Sequence, residues 1–476
     1  MTPEDLEDAV LEDAAQASEA RASDSLDEEN RLKPDFVRRV QDALEAGETD
    51  TVYDLVEPLH PADIADLFEL VEEHQRLPLA RAINDQMSVE VFAELNDHVR
   101  EQIVDELPAG IIAEIAEQLE TDDAVAMIED LDEADQQAVL AELEPEDRAA
   151  IETALSYPEE SAGRLMSRDF VAMPEHMTVG DLIAYLRDDK RHATEFWEVF
   201  IVDARHHPIG TCLLSWILRS PRNVPLSDVM KRDQTLIPVT MDQEEVALRF
   251  QKYALISAAV VDADGRLVGQ ITVDDIVHII QEEASEDVLL LSGAGEGDIN
   301  EPIRDSYRNR VRWLIANLLT ATLASFIISV FEGTIAQMVA LATLMPIVAG
   351  IGGNAGTQTL AVTVRALATN QLVATNAWRA VRREITIALL NGSTVAVVIG
   401  VAVSVIFQNP ALGAVIAAAM MANILIAGLA GVFVPLTLER LGADPAIASS
   451  IFVTMTTDSM GFLVFLGLAT VSGIVG

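Results

Sequence analysis

The chain has 476 residues and carries 77 acidic against 31 basic side chains, which gives a formal net charge of −46. A chain of this length is expected to hold several domains. Its strongly acidic balance excludes nucleic acid as a partner, because phosphate contacts require a basic surface. Cys212 is the only cysteine, so neither an internal disulfide nor a thiolate metal cluster can form.

The charge is distributed very unevenly along the chain. From Val311 to the end there are five acidic residues and six arginines, which leaves 72 acidic and 25 basic residues in the first 310 positions. Two causes of this acidity remain open: carboxylate clusters that bind divalent cations, and a highly solvated surface suited to a salty cytoplasm. The second cause is favoured by the presence of only four lysines, Lys33, Lys190, Lys231 and Lys252.

The N-terminal third is predicted to be helical. Residues 1–30 are acidic and poor in large apolar side chains, which predicts a disordered tail without a secretion signal. From 31 to 156 the pattern is helical. Between Leu107 and Leu155 a leucine recurs every twelve residues, and each unit has a turn or capping residue followed by about two turns of amphipathic helix. Such units stack into an all-α superhelical domain, which typically binds partners or acts as a lever.

Residues 157–285 contain an internal duplication. Each half is predicted to have a buried strand, a turn and a second strand, at Phe196–Val202, Asp203–Gly210 and Thr211–Leu214 and at Ala258–Val261, Asp262–Gly269 and Gln270–Val273. The two halves resemble a tandem pair of α/β CBS domains. In the second half, Gly269–Asp275 matches the nucleotide-contact pattern of that family, which implies that Thr272 and Asp275 contact the ribose of a nucleotide such as ATP. In the first half Leu218 replaces the aspartate, and an empty structural cleft is the alternative.

Residues 286–312 are interpreted as a linker and a connecting (plug) helix. An acidic helix is predicted from Asp274 to Leu291, a glycine-containing linker follows, and a basic helix begins at Pro302. The arginines of that helix are Arg304, Arg308, Arg310 and Arg312. This arrangement is typical of a connection between a sensor and a gate, and contact with lipid headgroups is the alternative for the arginines.

Hydropathy predicts a transmembrane domain at 313–476 with five spans, near 313–331, 335–364, 385–407, 411–438 and 446–474. Arginines crowd before the first span and in the second loop, whereas the loop at 408–410 has none. The positive-inside rule therefore predicts that the acidic domains are cytoplasmic and that the C-terminus is outside. We expect a multidomain, multi-pass protein of the cell membrane.

The last span carries a single charge, Asp458. A carboxylate at mid-span costs roughly 2.5–3.5 kcal/mol on insertion scales. Three interpretations of this carboxyl are open. It is protonated, or it pairs with an arginine of another helix, or it lies on a polar pathway where a cation supplies the partner. The pathway is favoured by Met345–Leu360, whose glycines and polar side chains, Asn354 among them, are typical of a watery cavity. Tight helix packing is the alternative for that stretch.

The order of these segments resembles the MgtE family of magnesium channels and transporters over residues 31–476. The resemblance is carried by RVRWL at 310–314, PIVAGIGGNAGTQ at 346–358, Glu384 before the third span, LGADPA at 441–446 and TTDSMGFLVF at 456–465. It implies a homodimer with a pore between the protomers, where Asp458 holds hydrated Mg²⁺ and Asn354 and Glu384 line the path. Relatives have Asn-Pro near the start of the last helix, where this chain has Ser450-Ile451.

The resemblance also implies that cytosolic Mg²⁺ closes the pore by binding acidic residues at the domain boundaries. The matching positions are Asp264, Asp274, Glu296, Asp298 and Glu301. Hydrated Mg²⁺ suits one carboxylate per chain, whereas a soft metal would require His or Cys, which the membrane half lacks. The favoured function is therefore Mg²⁺ transport and not catalysis. Transport of Mn²⁺ or Co²⁺, a CBS-regulated channel of different selectivity and an intramembrane protease are the alternatives.

Overall fold

The computed structural model describes residues 25–83, 86–129, 131–187, 196–293, 299–373 and 375–474. The chain divides into two compact units, of which the first ends at Ile280 and the second begins at Gln281. Most of the tail predicted at 1–30 lies outside the described residues, as do Glu296 and Asp298.

Short helices build the N-terminal part of the first unit. They are α1 (Pro34–Ala46), α2 (Thr49–Val56), α3 (Pro61–Leu70), α4 (Glu73–Ile83), α5 (Val89–Glu94), α6 (Asp97–Val104), α7 (Ala109–Ala116), α8 (Thr121–Glu129), α9 (Glu133–Glu142) and α10 (Pro145–Leu155). Helices α7 to α10 coincide with the twelve-residue leucine units, which confirms the predicted helical repeat. Helices of this length are marginal alone, so their stability comes from a shared core in which Phe68 and Ile128 are fully buried.

The rest of the first unit contains two three-stranded sheets with the same topology. The strands are β1 (Ala172–Pro174), β2 (Glu198–Val202) and β3 (Pro208–Leu213) in one, and β4 (Leu236–Pro238), β5 (Ser257–Val261) and β6 (Leu267–Thr272) in the other. In each sheet the first strand is parallel to the second, and the second is antiparallel to the third. The accompanying helices are α11 (Val179–Leu186), α12 (Leu214–Arg219), α13 (Leu226–Val229), α14 (Gln243–Tyr253) and α15 (Val273–Ser292). This repetition confirms the predicted tandem α/β arrangement.

The third strand of each sheet begins earlier than the sequence predicts. Pro208 already pairs with β2, although it falls within the predicted turn Asp203–Gly210, and the second sheet repeats the difference. The Asp203 carboxylate accepts hydrogen bonds from the backbone amides of Arg205 and His207, at 2.8 and 2.9 Å. An aspartate that bonds to the backbone in this way closes the turn within a few residues, so the strand can start sooner.

The second unit is built from helices α16 (Ile303–Val330), α17 (Glu332–Gln337), α18 (Ala340–Ala368), α19 (Ala377–Ile406), α20 (Pro410–Arg440) and α21 (Pro445–Val471), together with the end of α15. In the described part of the chain, five helices are long and apolar enough to cross a membrane, which confirms the predicted number. The first of them begins at Ile303 and not at 313. The connecting helix and the first span are one continuous helix, because neither glycine nor proline interrupts it.

Helix α20 is the centre of this unit and packs against α18, α19 and α21. Glycines allow the close approach. A methyl group at Gly431 would lie 2.9 Å from the carbonyl oxygen of Gly356 on α18, and one at Gly400 of α19 would lie 3.1 Å from that of Gly413 on α20. Helix α21 also packs against α16 and α18. The bundle therefore places the glycine-rich helix α18 beside α21, the helix that carries Asp458.

Candidate cation pathway and acidic cluster

Asp458 lies at the middle of α21 and is half-buried. Among the described residues, no basic side chain pairs with its carboxylate and no donor forms a hydrogen bond to it. Its neighbour Thr457 is buried and donates to the carbonyl of Thr454 at 3.0 Å, and the buried hydroxyl of Ser459 has no partner in the same described part. A charge at this depth without a protein partner needs water or a counter-ion, as expected for a cation pathway.

The glycine-rich stretch Met345–Leu360 is a continuous part of α18 with two different faces. Gly356 faces inward, where an added methyl group would lie 2.6 Å from Cγ1 of Val453 on α21. Asn354 and Thr357 are exposed. Close packing and polar exposure therefore apply to different residues of this stretch. Exposed polar side chains on a membrane helix indicate a face that is covered by water or by another protein chain.

Glu384, on α19, is buried, with 7% of its surface exposed. Its Oε2 accepts a 3.2 Å hydrogen bond from the hydroxyl of Thr359 on α18, and its Oε1 lies 3.3 Å from Nη1 of Arg383. The carboxylate lines a cleft of about 150 Å³ together with the amide side chains of Gln358 and Asn391. Carboxylate and amide oxygens are ligands for a hard cation or for its water shell.

The three predicted membrane ligands do not form one cluster within the chain. In the part of the chain that the structure describes, no hydrogen bond joins Asn354, Glu384 and Asp458. Across all the residues that the structure describes, no group of three or more Asp, Glu, His or Cys side chains is arranged to hold a metal ion. A single protomer therefore offers no preformed cage of acidic ligands, and an ion passing Asp458 would retain water in its coordination shell.

The predicted regulatory residues that the structure describes lie in separate places. Asp264 is exposed in the turn between β5 and β6, and Asp274 is exposed in the first turn of α15. Glu301 is buried just before α16, and its Oε1 accepts a 3.0 Å hydrogen bond from the amide of Asn309. Its Oε2 is also buried but has no hydrogen-bond partner among the described residues. An unsatisfied acceptor costs about 1–3 kcal/mol, so Glu301 gains more than the two exposed carboxylates from a bound cation.

Thr272 and Asp275 lie together where β6 ends and α15 begins. The Thr272 hydroxyl donates a 2.8 Å hydrogen bond to Oδ2 of Asp275. In the first half of the pair, the structural equivalent of Asp275 is Trp216 and not Leu218, because β3 ends at Leu213 where β6 ends at Thr272. The identification of Leu218 was wrong by two positions, but the first half still lacks the acid.

A group of carboxylates lies at the start of α8 and of α15. We call it the acidic cluster, and its members are Glu120, Asp122, Asp123, Asp274 and Asp275. Sequence analysis selected its two members on α15 for separate roles and missed those at the start of α8. Burial raises the pKa of Asp122 well above its usual range, and repulsion from Asp275 adds to this effect. Burial, with repulsion from nearby carboxylates, also raises the pKa of Asp123 and that of Asp275 to about 6. The run from 120 to 123 is visible in the sequence, but acidic residues there are equally typical of a helix N-terminus.

Three parts of the chain match family models. Residues 345–468 match MgtE, described as a divalent cation transporter, residues 59–160 match the MgtE intracellular N domain, and residues 226–282 match the CBS domain. The "Magnesium transporter MgtE" of Enterococcus faecalis is 32% identical over 320 residues, which cover 67% of this chain and 71% of that protein. This chain belongs to the MgtE family. The protein of the same name from Thermus thermophilus is 31% identical over 325 residues, with the same coverage of both chains.

MgtE membership confirms both the family resemblance and the predicted fold class, a multidomain membrane protein with a helical N domain, a CBS pair and five membrane helices. A solved structure described as the cytosolic domain of the Mg²⁺ channel MgtE in complex with ATP is 28% identical, covering 51% of this chain and 99% of that chain with a TM-score of 0.47. Asn354, Glu384 and Asp458 all lie within the part matched by the divalent cation transporter model. This match favours cation transport over a CBS-regulated channel that is selective for anions and over the intramembrane protease.

Proposed function

We propose that this chain imports Mg²⁺ across the cell membrane and that cytosolic Mg²⁺ closes its pathway. The observation that carries the proposal is Asp458, a half-buried carboxylate at mid-span that has no ion pair or hydrogen bond in the described chain. Mg²⁺ dehydrates reluctantly, so it is usually held by one or two carboxylates and keeps several waters. A pathway with one carboxylate per protomer suits such an ion.

A homodimer would complete the pathway. In a single chain Asn354 and Thr357 are exposed on α18. The Thr357 hydroxyl donates a 3.0 Å hydrogen bond to the carbonyl of Gly353, but a lipid-facing position would leave the Asn354 amide unsatisfied. Two-fold symmetry is the commonest arrangement of homo-oligomers. An axis near this face of α18 would cover the polar side chains and bring two copies of Asp458 to one path, where a divalent cation would neutralise both charges.

The N-terminal domains are proposed to lie in the cytoplasm and the C-terminus outside. The connection between α18 and α19 is flanked by Arg365, Arg379, Arg382 and Arg383, whereas the connection between α19 and α20 carries no charge. Basic residues near the ends of membrane helices remain preferentially on the cytoplasmic side. With five spans, this orientation brings the end of α21 to the opposite side.

Closure by cytosolic Mg²⁺ is proposed to use carboxylates that repel one another when no cation is present. The acidic cluster meets this condition, because burial and repulsion from neighbouring carboxylates raise the pKa values of Asp122, Asp123 and Asp275. Asp264 and Glu301 are proposed as further ligands, as are Glu296 and Asp298, which lie outside the described residues. A ligand shifts a conformational equilibrium only through a difference in affinity between the two states. Because no group of three or more acidic side chains in the described chain is arranged to hold a metal ion, the proposed site is a hydrated Mg²⁺ that bridges two carboxylates, one from α8 and one from α15. Such bridging provides the difference in affinity.

ATP is proposed to bind the second half of the CBS pair, where Thr272 and Asp275 are joined by a hydrogen bond. Asp275 also belongs to the acidic cluster. A nucleotide that contacts this carboxylate would therefore change the affinity of the cluster for Mg²⁺, and by reciprocity Mg²⁺ would change the affinity for the nucleotide.

Mg²⁺ flux into liposomes that contain the purified protein tests the proposed function. Asp458→Asn should lower the flux about tenfold or more, equivalent to about 1.4 kcal/mol or more, because the amide carries no charge for the ion. Asp444→Asn is the matched control. This residue caps α21 by accepting a hydrogen bond from the amide of Ala446, a role that asparagine retains. Unchanged flux in Asp458→Asn would refute the site, and stronger uptake of Mn²⁺ or Co²⁺ than of Mg²⁺ would identify another substrate.

A further inference from the structure

Asn423 lies at the middle of α20 and is completely buried. It stands in an uncharged run of apolar and small residues, so the sequence alone gives no reason to select it. Its amide nitrogen donates a 3.0 Å hydrogen bond to the carbonyl oxygen of Val348 on α18. Its amide oxygen is buried and has no donor among the described residues. A buried amide with an unsatisfied oxygen does not optimise stability, because an apolar side chain of similar size avoids that cost.

Two glycines form the space that holds this side chain. On α18, an added methyl group at Gly352 would overlap the amide nitrogen of Asn423. On α21, a methyl group at Gly461 would lie 2.8 Å from the same nitrogen and 2.9 Å from the amide oxygen. The Asn423 side chain is therefore enclosed between the glycine-rich helix and the helix that carries Asp458, and it is hydrogen-bonded to the first of them.

We propose that Asn423 is a positioning residue for cation transport, which fixes the relative height of α18 and α21. The inference rests on the proposed role of Asp458. Gly461 follows Asp458 by three residues, which is less than one helical turn. A shift of α21 along α18 at Gly461 therefore moves the Asp458 carboxylate by the same distance relative to the polar face of α18, which carries Asn354. Asn423 opposes such a shift, because its side chain fits between the two glycines and its hydrogen bond fixes it to Val348.

The test is the dependence of Mg²⁺ flux on Mg²⁺ concentration in liposomes. Asn423→Ala should raise the half-saturating Mg²⁺ concentration about tenfold, with a smaller effect on maximal flux, because the carboxylate remains but is displaced. Gly461→Ala keeps the asparagine and displaces it, so it should cause the same shift even if Asn423→Ala fails to fold. Asn317→Ala is the control, since Asn317 is an exposed asparagine on the membrane helix α16.

A double variant separates positioning from packing. In Asn423→Ala with Gly352→Ala, the new methyl group on α18 occupies space that the asparagine has left, but the hydrogen bond to Val348 is absent. We expect the melting temperature to return towards that of the wild type while the half-saturating concentration stays high. The inference is wrong if the melting temperature and the half-saturating concentration both recover in the double variant. It is also wrong if neither Asn423→Ala nor Gly461→Ala changes the half-saturating concentration. If the inference about Asn423 fails but Asp458→Asn still loses Mg²⁺ flux, the proposed function holds.

Discussion

The hydroxyl of Thr272 donates a 2.8 Å hydrogen bond to the carboxylate of Asp275, at the point where β6 passes into α15. This bond favours the ionised carboxylate, but burial outweighs it and the pKa of Asp275 rises to about 6. At neutral pH the folded protein therefore holds a charge that its surroundings disfavour. Any cation that neutralises this charge stabilises the folded state, which is the property that a Mg²⁺ sensor requires.

The acidic cluster should make the stability of the first unit depend on pH when no divalent cation is present. Asp123 and Asp275 have folded pKa values of about 6, above the ordinary value of 3.8. Their contribution to stability is therefore complete below about pH 4 and is lost as the pH rises through 6. Thermal unfolding in chelator should show that Asp275→Asn raises the melting temperature at pH 7.5 and weakens its dependence on pH. Equal pH dependence in the variant and the wild type would contradict this.

Millimolar Mg²⁺ should stabilise the acidic cluster at a pH at which protons no longer neutralise its carboxylates. At pH 7.5 we expect Mg²⁺ to raise the melting temperature of the wild type more than that of Asp123→Asn or Asp275→Asn, because each variant has lost one of the charges that the ion neutralises. Asp42→Asn is the matched control, since Asp42 is an exposed carboxylate on α1. It should respond to Mg²⁺ as the wild type does. A reduced response in this control as well would show that the effect comes from overall charge.

The sequence was sufficient for features that depend on neighbouring residues. The twelve-residue leucine spacing revealed helices α7 to α10, and the isolated charge of Asp458 stood out because the rest of its span is uncharged. The acidic cluster and the environment of Asn423 could not be predicted in this way. Asp122 and Asp275 are distant in the chain, and Asn423 contacts glycines of two other helices. Such relationships arise only from tertiary packing, which no local pattern contains.

Glu301 should contribute to closure through its unsatisfied carboxylate oxygen. In Glu301→Gln the side chain can still accept the hydrogen bond from Asn309, but the charge for a cation is lost. We expect the cytosolic Mg²⁺ concentration that half-closes the pathway to rise several-fold, and to rise further when Asp264→Asn and Asp274→Asn are added. The measurement that checks this is Mg²⁺ flux at increasing Mg²⁺ concentrations on the side of the membrane that carries the soluble domains. Asp305→Asn is the control, because Asp305 is an exposed nearby carboxylate whose Oδ1 lies 3.8 Å from Nη1 of Arg308. This variant should close at the same Mg²⁺ concentration as the wild type.

Glu384 is predicted to line the cation path, and its cleft allows this role to be separated from a structural one. Glu384→Gln keeps an acceptor for the Thr359 hydroxyl and removes the charge, whereas Thr359→Val removes the hydrogen bond and keeps the charge. If the charge serves the cation, Glu384→Gln should lower maximal Mg²⁺ flux more than Thr359→Val does. The reverse order, with a lower melting temperature in Thr359→Val, would show that Glu384 only connects α18 and α19.

Measurements in salt can distinguish the two proposed causes of the acidity of the first 310 residues, which are cation binding and a solvated surface suited to a salty cytoplasm. With 72 acidic and 25 basic residues in this part, mutual repulsion should be screened as KCl rises from 0.1 to 1 M, where the screening length falls from about 10 to about 3 Å. A solvated surface adapted to salt predicts a higher melting temperature in KCl and in choline chloride alike, for the wild type and for Asp275→Asn. Specific cation binding predicts instead that millimolar Mg²⁺ reproduces the rise in the wild type and fails to do so in Asp275→Asn. If KCl has no effect while Mg²⁺ retains its own, the carboxylates serve ion sensing and the saline explanation is wrong.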